Sequence, residues 1–260
     1  MDFTQIHSRH EDRTAVITLN RPDKRNALND AMVSDLTAAF LAAARDSSVK
    51  VIILGGEGPA FCAGADLEYL QRISQNDLEQ NRTDSLKLAV LFRTIYEIRK
   101  PVIASVRGPA LAGGCGLATV CDFVLASREK ARFGYTEARI GFVPAIVMAF
   151  LIKRVGEGRA RELVLRGNTL GADEAERIGL VTKAVPDAEV DSAVKDLAGE
   201  LITQNSATSM GYCKELIGRL HGLNLLDSLD FAANVNAAAR MTADCKQGVE
   251  AFLQKSIPKW

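Results

Sequence analysis

The sequence lacks the features that mark several classes of protein. It has no CxxC pair, and its five cysteines are irregularly spaced, which is typical of reduced thiols rather than of a disulfide framework. None of its three histidines has cysteines or a cluster of acidic residues at the spacing of metal ligands, so no metal site is predicted. The longest unbroken apolar stretch, 145–152, is too short to cross a membrane, and the first residues do not resemble a secretory signal. We therefore expect a cytoplasmic protein with no membrane partner.

Charge of one sign is also lacking. Thirty-two basic residues balance 32 acidic ones, so the net charge gives no support for binding nucleic acid. The 260 residues, 47% of them hydrophobic, are enough to build one large core without disulfides or metal.

Short β-branched runs alternate with amphipathic segments of helical length, which predicts an α/β fold with crossover connections. Beyond about residue 187 the pattern is helical, and no Ser/Gly-rich linker precedes it. We expect this tail to pack on the core or on another subunit. The predicted strands are 15–19, 51–54, 102–106 and 123–126, and the predicted helices are 31–45, 66–73 and 77–98.

Two glycine-containing turns, 61–67 and 108–116, each follow an apolar strand and precede a helix. Small residues let a ligand approach the backbone, and the start of a helix presents unpaired N–H groups. Two such turns that converge would supply the paired donors of an oxyanion hole. The alternative for each turn alone is a tight connection that binds nothing. Neither turn matches a phosphate-binding loop.

A third segment, 133–144, places Glu137 among glycines, aromatics and aliphatics. Partial burial there would raise the pKa of this carboxyl, as a general acid/base requires. The alternative is a surface glutamate paired with Arg139, and the spacing leaves both open.

Together these segments resemble the enoyl-CoA hydratase/isomerase (crotonase) family, over essentially the whole chain. The motifs that carry the resemblance are NRPDKRNALN at 20–29, AFCAGADL at 60–67, GPALAGGC at 108–115 with CD at 121–122, FGYTEARIGFVP at 133–144, and the stretch 171–185. The resemblance implies a crotonase-like ββα spiral core over residues 1–200. It also implies a C-terminal helical trimerisation region over residues 201–260, in a homotrimer or a dimer of trimers.

The resemblance also assigns roles. The backbone N–H groups of Ala65 and Gly113 would form the oxyanion hole, and Glu137 would be the acid/base. The substrate would be an acyl-CoA, with coenzyme A as part of the substrate and no separate cofactor. The positions implied to contact the acyl-CoA are Arg25, Ala27, Leu28, Ala63, Asp66, Leu67, Gly114, Tyr135, Phe142, Phe252 and Lys255. For Phe252 and Lys255, which would reach the adenine and phosphate region, the alternative is plain packing with a solvated lysine.

The chain departs from the family pattern at three places. Hydratases with two carboxylates carry a glutamate where this chain has Gly116. Bulky apolar residues at 145–150 replace a glycine-rich stretch, which indicates a differently shaped acyl pocket. Tyr135 replaces a small or polar residue, and it would either border the pocket or pack in the core. Phe142 is interpreted as a pocket or core wall.

Several functions stay open on this pattern. Hydration of a 2-enoyl-CoA is the leading hypothesis, and 3,2-enoyl-CoA isomerisation with Glu137 as the sole proton shuttle follows closely. Other chemistry on the same scaffold, such as thioester hydrolysis, decarboxylation or dehydration, is a further alternative. The last is a CoA-binding protein without catalysis.

Overall fold

The computed structural model describes residues 3–260. Met1 and Asp2, which begin the core predicted over residues 1–200, lie outside the described residues. Over this range the chain forms nine strands and ten helices. The strands are β1 Ile6–Glu11, β2 Thr14–Leu19, β3 Val51–Gly56, β4 Val102–Val106, β5 Pro109–Leu111, β6 Phe123–Ser127, β7 Arg132–Gly134, β8 Thr169–Gly171 and β9 Lys183–Val185. The helices are α1 Asp30–Arg45, α2 Leu67–Ile73, α3 Leu78–Glu97, α4 Gly113–Thr119, α5 Ala145–Arg166, α6 Ala172–Arg177, α7 Val190–Gln204, α8 Ala207–Leu220, α9 Leu225–Met241 and α10 Ala243–Leu253.

Two sheets organise the core. The larger has the strand order β1-β2-β3-β4-β6-β9, in which β1 and β2 are antiparallel and every other pair is parallel. The smaller has the order β5-β7-β8. Strand pairs β4/β5 and β6/β7 each send one strand to the large sheet and one to the small sheet, and a helix then follows. This repeated strand–strand–helix order is the ββα pattern expected from the resemblance.

The central strands of the large sheet, β3, β4 and β6, are buried on both faces. Along β3, Ile52 and Leu54 point into the main core, while Val51 and Ile53 point to the other face, as the two-residue period of a strand requires. That second face is covered by α7, whose buried residues recur at helical spacing. They are Val190, Val194, Ala198 and Leu201.

The predicted helices and strands are confirmed with small shifts at their ends. Asn29 caps α1, its side chain accepting from the N–H of Met32 at 2.9 Å, and Asp77 forms a reciprocal capping box with Gln80 at the start of α3. The two edge strands of the large sheet, β1 and β9, and the short strands of the small sheet were not predicted. None of the helices in residues 3–260 is long and apolar enough to cross a membrane.

Candidate active site

Backbone hydrogen bonds bring the three glycine-containing motifs together. Leu28 pairs with Ala65, and Cys62 pairs with Ala110, each as a parallel bridge. The N–H of Ala112 then donates to the carbonyl of Gly134 at 2.7 Å, just before the turn that carries Glu137. The two turns therefore meet, which is the condition that an oxyanion hole requires, and the pairing extends to the Glu137 segment.

Two backbone donors at this junction are free. Ala65 lies in the first turn, 61–67, and Gly113 lies in the second, 108–116, as the first residue of α4. Within residues 3–260, neither N–H donates to a protein acceptor, as expected of the first residues of helices and of turns that face a ligand. A Cβ built on Gly64 would lie only 3.6 Å from the Gly113 nitrogen. The two donor-bearing turns thus touch each other.

Glycine is required at two points of this contact. A Cβ on Gly114 would lie 2.2 Å from the carbonyl oxygen of Cys62. Gly64 has φ +95°, and its Cβ would lie 2.8 Å from the Cβ of Ala112, so both space and backbone conformation exclude a side chain. Gly114, predicted to contact the acyl-CoA, is buried and serves this close approach.

Ala112 is held in a strained conformation directly before the Gly113 donor. Its φ is 50° and its ψ is −127°, a region that is costly for any residue with a Cβ. Its N–H and its carbonyl are both hydrogen-bonded, to Gly134 and from Gly116. These contacts hold the strained turn in place. In the sequence Ala112 is only an alanine within a glycine-rich turn, and its strained conformation was not predicted.

Replacing Ala112 by glycine is expected to raise the free energy of unfolding. Strain of about 1–3 kcal/mol is relieved, against about 0.5–1 kcal/mol of added backbone entropy in the unfolded chain. Ala112→Val should have the opposite effect, since a β-branched residue fits positive φ still less well. Urea denaturation of both variants measures the difference. Equal stability of the glycine and valine variants would contradict the strain.

Asn26 ties the first motif to the turn before the oxyanion segment. The side chain is fully buried. Its oxygen accepts from the N–H of Arg21 at 2.8 Å, and its nitrogen donates to the carbonyls of Glu57 and Ala60, both at 2.8 Å. Its φ of 55° is also one that asparagine tolerates better than most residues. Asn26 is part of the NRPDKRNALN motif, but no pattern in the sequence indicated that its side chain holds these backbone groups together.

Asn26→Ala is expected to lower the free energy of unfolding by about 3 kcal/mol or more, because it leaves buried backbone groups without partners. The matched control is Asn29→Ala, which removes an N-cap and should cost about 1 kcal/mol. Chemical denaturation of the two variants measures both losses in the free energy of unfolding. Similar losses in both would mean that the Asn26 bonds do not hold the motif together.

Glu137 begins a 3₁₀ turn, Glu137–Ile140, directly after β7. It is only 6% exposed, and its Oε2 atom is buried without a hydrogen-bond partner among the described residues. No ion pair joins it to Arg139 within that part of the chain, so the surface-pair alternative is wrong. Burial disfavours the ionised carboxylate and raises the pKa of Glu137 above its ordinary value. A carboxyl whose pKa is raised in this way is suited to general acid/base work.

Tyr135 is fully buried, and its hydroxyl lies 2.8 Å from the Thr119 hydroxyl. Thr119 in turn donates to the carbonyl of Cys115 at 2.8 Å. The core interpretation of Tyr135 therefore fits its environment, and it stabilises the segment between β7 and Glu137. Direct contact of Tyr135 with an acyl-CoA stays a prediction. Thr119 was not singled out from the sequence.

Asp66 acts on the oxyanion turn from within the protein. One carboxylate oxygen accepts from the N–H groups of Glu68 and Tyr69, and the other accepts from Arg21 at 2.9 Å. Burial alone would raise the pKa of Asp66, but the Arg21 hydrogen bond and the N–H donors bring it below its ordinary value. The Asp66 carboxylate therefore caps α2 and also forms a buried ion pair with Arg21. Its predicted contact with coenzyme A stays a prediction.

The remaining predicted contact positions divide by exposure. Ala27 and Leu28 are buried, and Ala63 is half-buried, all within the paired backbone around the donors. Arg25 is exposed beside them, and Leu67 is 69% exposed at the start of α2. Phe142 is 50% exposed after the Glu137 turn, so it is no core wall. Phe252 is 82% exposed in the C-terminal region, so it does not pack within this chain, whereas Lys255 is exposed, as the alternative of a solvated lysine expects.

The cysteines are all free thiols. Burial raises the pKa of both Cys62 and Cys115, which lie in the converging turns, to about 12. Such thiols stay protonated near neutral pH and are poor nucleophiles. Glu137 is therefore the candidate for proton transfer at this junction.

Free backbone donors and a buried carboxyl on hydrogen-bonded segments are a combination that can stabilise an enolate-like oxygen while a proton moves at a neighbouring carbon. The family model for enoyl-CoA hydratase/isomerase matches residues 9–260 of the chain. The chain therefore belongs to the enoyl-CoA hydratase/isomerase family of enzymes.

Individual relatives agree over the full length. A Thermus thermophilus protein named "Putative enoyl-CoA hydratase" is 42% identical over 258 residues, covering 99% of this chain and 100% of that protein. The crotonyl-CoA hydratase of Syntrophomonas wolfei is 34% identical, covering 98% of this chain and 97% of that protein. The crystal structure of an enoyl-CoA hydratase of Mycobacterium smegmatis has a TM-score of 0.92 at 29% identity, with 99% of both chains covered. The crotonase-like fold predicted from the motifs is thus confirmed.

Proposed function

We propose that this enzyme catalyses the reversible addition of water to a 2-enoyl-CoA. The observation that carries the proposal is the contact between the turns of Ala65 and Gly113, which both have free N–H groups. The second of these turns is hydrogen-bonded to the segment that carries the buried Glu137. The names of the full-length relatives, which include a crotonyl-CoA hydratase, support this chemistry over the other family reactions.

In the proposed reaction the Ala65 and Gly113 N–H groups hold the thioester carbonyl oxygen. Ionised Glu137 takes a proton from water while the water oxygen bonds to C3, and the C2=C3 electron pair moves onto the thioester, giving an enolate. The enolate then takes the proton back from Glu137 at C2, so that one water has been added and the carboxylate is restored. Two N–H donors stabilise the enolate oxygen when its charge is greatest.

The acyl-CoA would be held by the paired backbone at residues 25–28 and 63–67, with Arg25 exposed to meet a phosphate. Coenzyme A enters as part of the substrate. Phe252 and Lys255 are exposed in this chain, so in the proposal they contact an acyl-CoA bound to a neighbouring subunit.

Isomerisation of a 3-enoyl-CoA is the second candidate, and Gly116 favours it. A double-bond shift requires one base that removes a proton from C4 and returns it to C2, with the same enolate between the steps. Glu137 and the two donors are sufficient for this relay.

Turnover of crotonyl-CoA and of a 3-enoyl-CoA, with the products identified by chromatography, tests the proposal. Hydration predicts a 3-hydroxyacyl-CoA from crotonyl-CoA as the faster reaction. Formation of only a 2-enoyl-CoA from the 3-enoyl substrate would replace hydration by isomerisation. Binding of acyl-CoA without turnover of either compound would leave a non-catalytic protein.

The same proposal includes assembly and location. The C-terminal region, 201–260, exposes large apolar side chains that a monomer would leave in water; they include Leu225, Leu226, Leu229, Phe252, Leu253 and Ile257. We infer that this region joins three chains, or six as a dimer of trimers, around the core of residues 1–200. Light scattering measures the mass of the assembly in solution and so distinguishes three chains from six. The five free cysteines fit a reducing, cytoplasmic setting.

A further inference from the structure

The volume beside Gly116 is filled by hydrocarbon. A Cβ built on Gly116 would lie 2.1 Å from Cγ1 and 2.7 Å from Cβ of Val147, far inside van der Waals contact. It would also lie 3.2 Å from Cε1 of Phe92. Val147 and Phe92 are both buried. Any side chain at position 116 is therefore excluded while Val147 is present.

Helix α5 brings Val147 to this place. The helix packs against α4 and also against the turn that carries Glu137. Val147 and Leu151, one turn apart, are both buried, so this face of α5 points inward. Gly116 lies one turn beyond Gly113 on α4, and residues three apart share a helix face. The contact between Gly116 and Val147 therefore lies one helical turn from the Gly113 donor.

We propose that Gly116 and Val147 act as a pair that limits the active site to one carboxylate, Glu137. The inference rests on the proposed function, because it concerns how the proton of water is handled. A carboxylate at position 116 would need the volume that Val147 fills. The isopropyl group that stands there neither donates nor accepts a hydrogen bond, so it cannot orient or activate water.

A consequence for the reaction follows from proton accounting. With one carboxylate, the proton that Glu137 takes from water is the proton it returns to C2. The acid side of the pH profile of kcat/KM should then follow one ionisation. With a second carboxylate at position 116, a second group would share the proton transfer, and the profile should gain a second ionisation.

The steric half of the proposal is tested by four proteins: wild type, Gly116→Ala, Val147→Gly and the double variant. Gly116→Ala should lower the melting temperature by about 2–10 °C, as overpacking does in a chain of this size. In the Val147→Gly background the same alanine should be neutral or raise the melting temperature, because the valine atoms it met are gone. Equal effects of the alanine in both backgrounds would overturn the pairing.

The chemical half compares Gly116→Glu/Val147→Gly with its uncharged match, Gly116→Gln/Val147→Gly. The glutamate variant should hydrate crotonyl-CoA with a kcat at least about tenfold higher than the glutamine variant, since a positioned acid/base contributes about 10²–10⁴-fold. It should also show the second ionisation in its pH profile. Equal kcat values and superimposable profiles would overturn the proposal. If these two variants do not fold, the alanine measurements decide.

Failure of this inference is distinguishable from failure of the proposed function. Wild-type protein that does not hydrate crotonyl-CoA would refute the function, while the melting temperatures would still report on the pair. Wild-type hydration together with uncoupled alanine effects would refute the pair alone.

Discussion

Replacing Glu137 by glutamine is expected to lower kcat for crotonyl-CoA hydration by about 10²–10⁴-fold, because the amide cannot take the proton of water. The substitution keeps the shape of the side chain, and Glu137 does not hold other residues through its carboxylate in the part of the chain described. The KM should therefore change little. Steady-state kinetics with the product identified measures both constants, and a kcat within a few-fold of wild type would remove Glu137 from the mechanism.

The same variant is expected to be more stable than wild type at neutral pH. Burial raises the pKa of folded Glu137, so between the ordinary and the raised pKa the folded state binds more protons than the unfolded state. Stability of the wild type then falls as pH rises through that window. Glutamine does not ionise, so its advantage should be present above the window and should vanish below the ordinary glutamate pKa.

Denaturation of wild type and Glu137→Gln across pH tests this sign, with Glu200→Gln as control. Glu200 is exposed on α7, and its substitution should leave turnover unchanged. A Glu137→Gln variant that is less stable than wild type at neutral pH would mean that the carboxylate has a stabilising partner. Gain of stability with loss of activity is the usual signature of a strained functional group.

The same raised pKa governs activity in wild type. Glu137 must be ionised to accept a proton from water, so kcat/KM for hydration should fall as pH decreases through a value above the ordinary glutamate pKa. The sign is opposite to that for stability, because the protonated state is the more stable and the less active one.

The elements that position the site were predictable because they depend on local patterns. The strand before each glycine turn and the helices α1 and α3 follow from side-chain periodicity. The convergence of the two turns could be stated only as a condition. It depends on bridges such as Cys62 to Ala110, which join residues far apart in sequence.

What the sequence did not indicate were the residues that act through tertiary contacts. Asn26 and Thr119 are ordinary polar residues until their partners are known, and Val147 is one of several aliphatics in its helix. The burial of Glu137 depends on packing of several elements, so spacing left it open between a buried acid and a surface ion pair. Gly116, at a position where a glutamate is expected, was evident from the sequence. Why a side chain does not fit there could be seen only from the position of Val147 Cγ1.

Gly64→Ala is expected to lower kcat by about 10²–10³-fold, as for loss of one oxyanion donor. The new methyl group would lie 2.8 Å from the Cβ of Ala112 and 2.9 Å from the carbonyl oxygen of Leu111, both on the donor-bearing second turn. The turns must separate by several tenths of an ångström to accept it, and the Ala65 and Gly113 donors then no longer reach the same oxygen. Since φ is +95° at Gly64, strain should also cost about 1–3 kcal/mol of stability.

The control for this variant is Gly199→Ala, also a glycine-to-alanine change, in α7, where the added Cβ would have no atom within 4 Å apart from its chain neighbours and the surrounding helix backbone. It should keep wild-type kcat and gain up to about 1 kcal/mol from helix propensity. Activity is compared at a temperature where circular dichroism shows all three proteins folded, so that instability cannot account for the loss. A folded Gly64→Ala protein with wild-type kcat would contradict the oxyanion hole, because it would show that the enolate oxygen is stabilised without contact between the two turns.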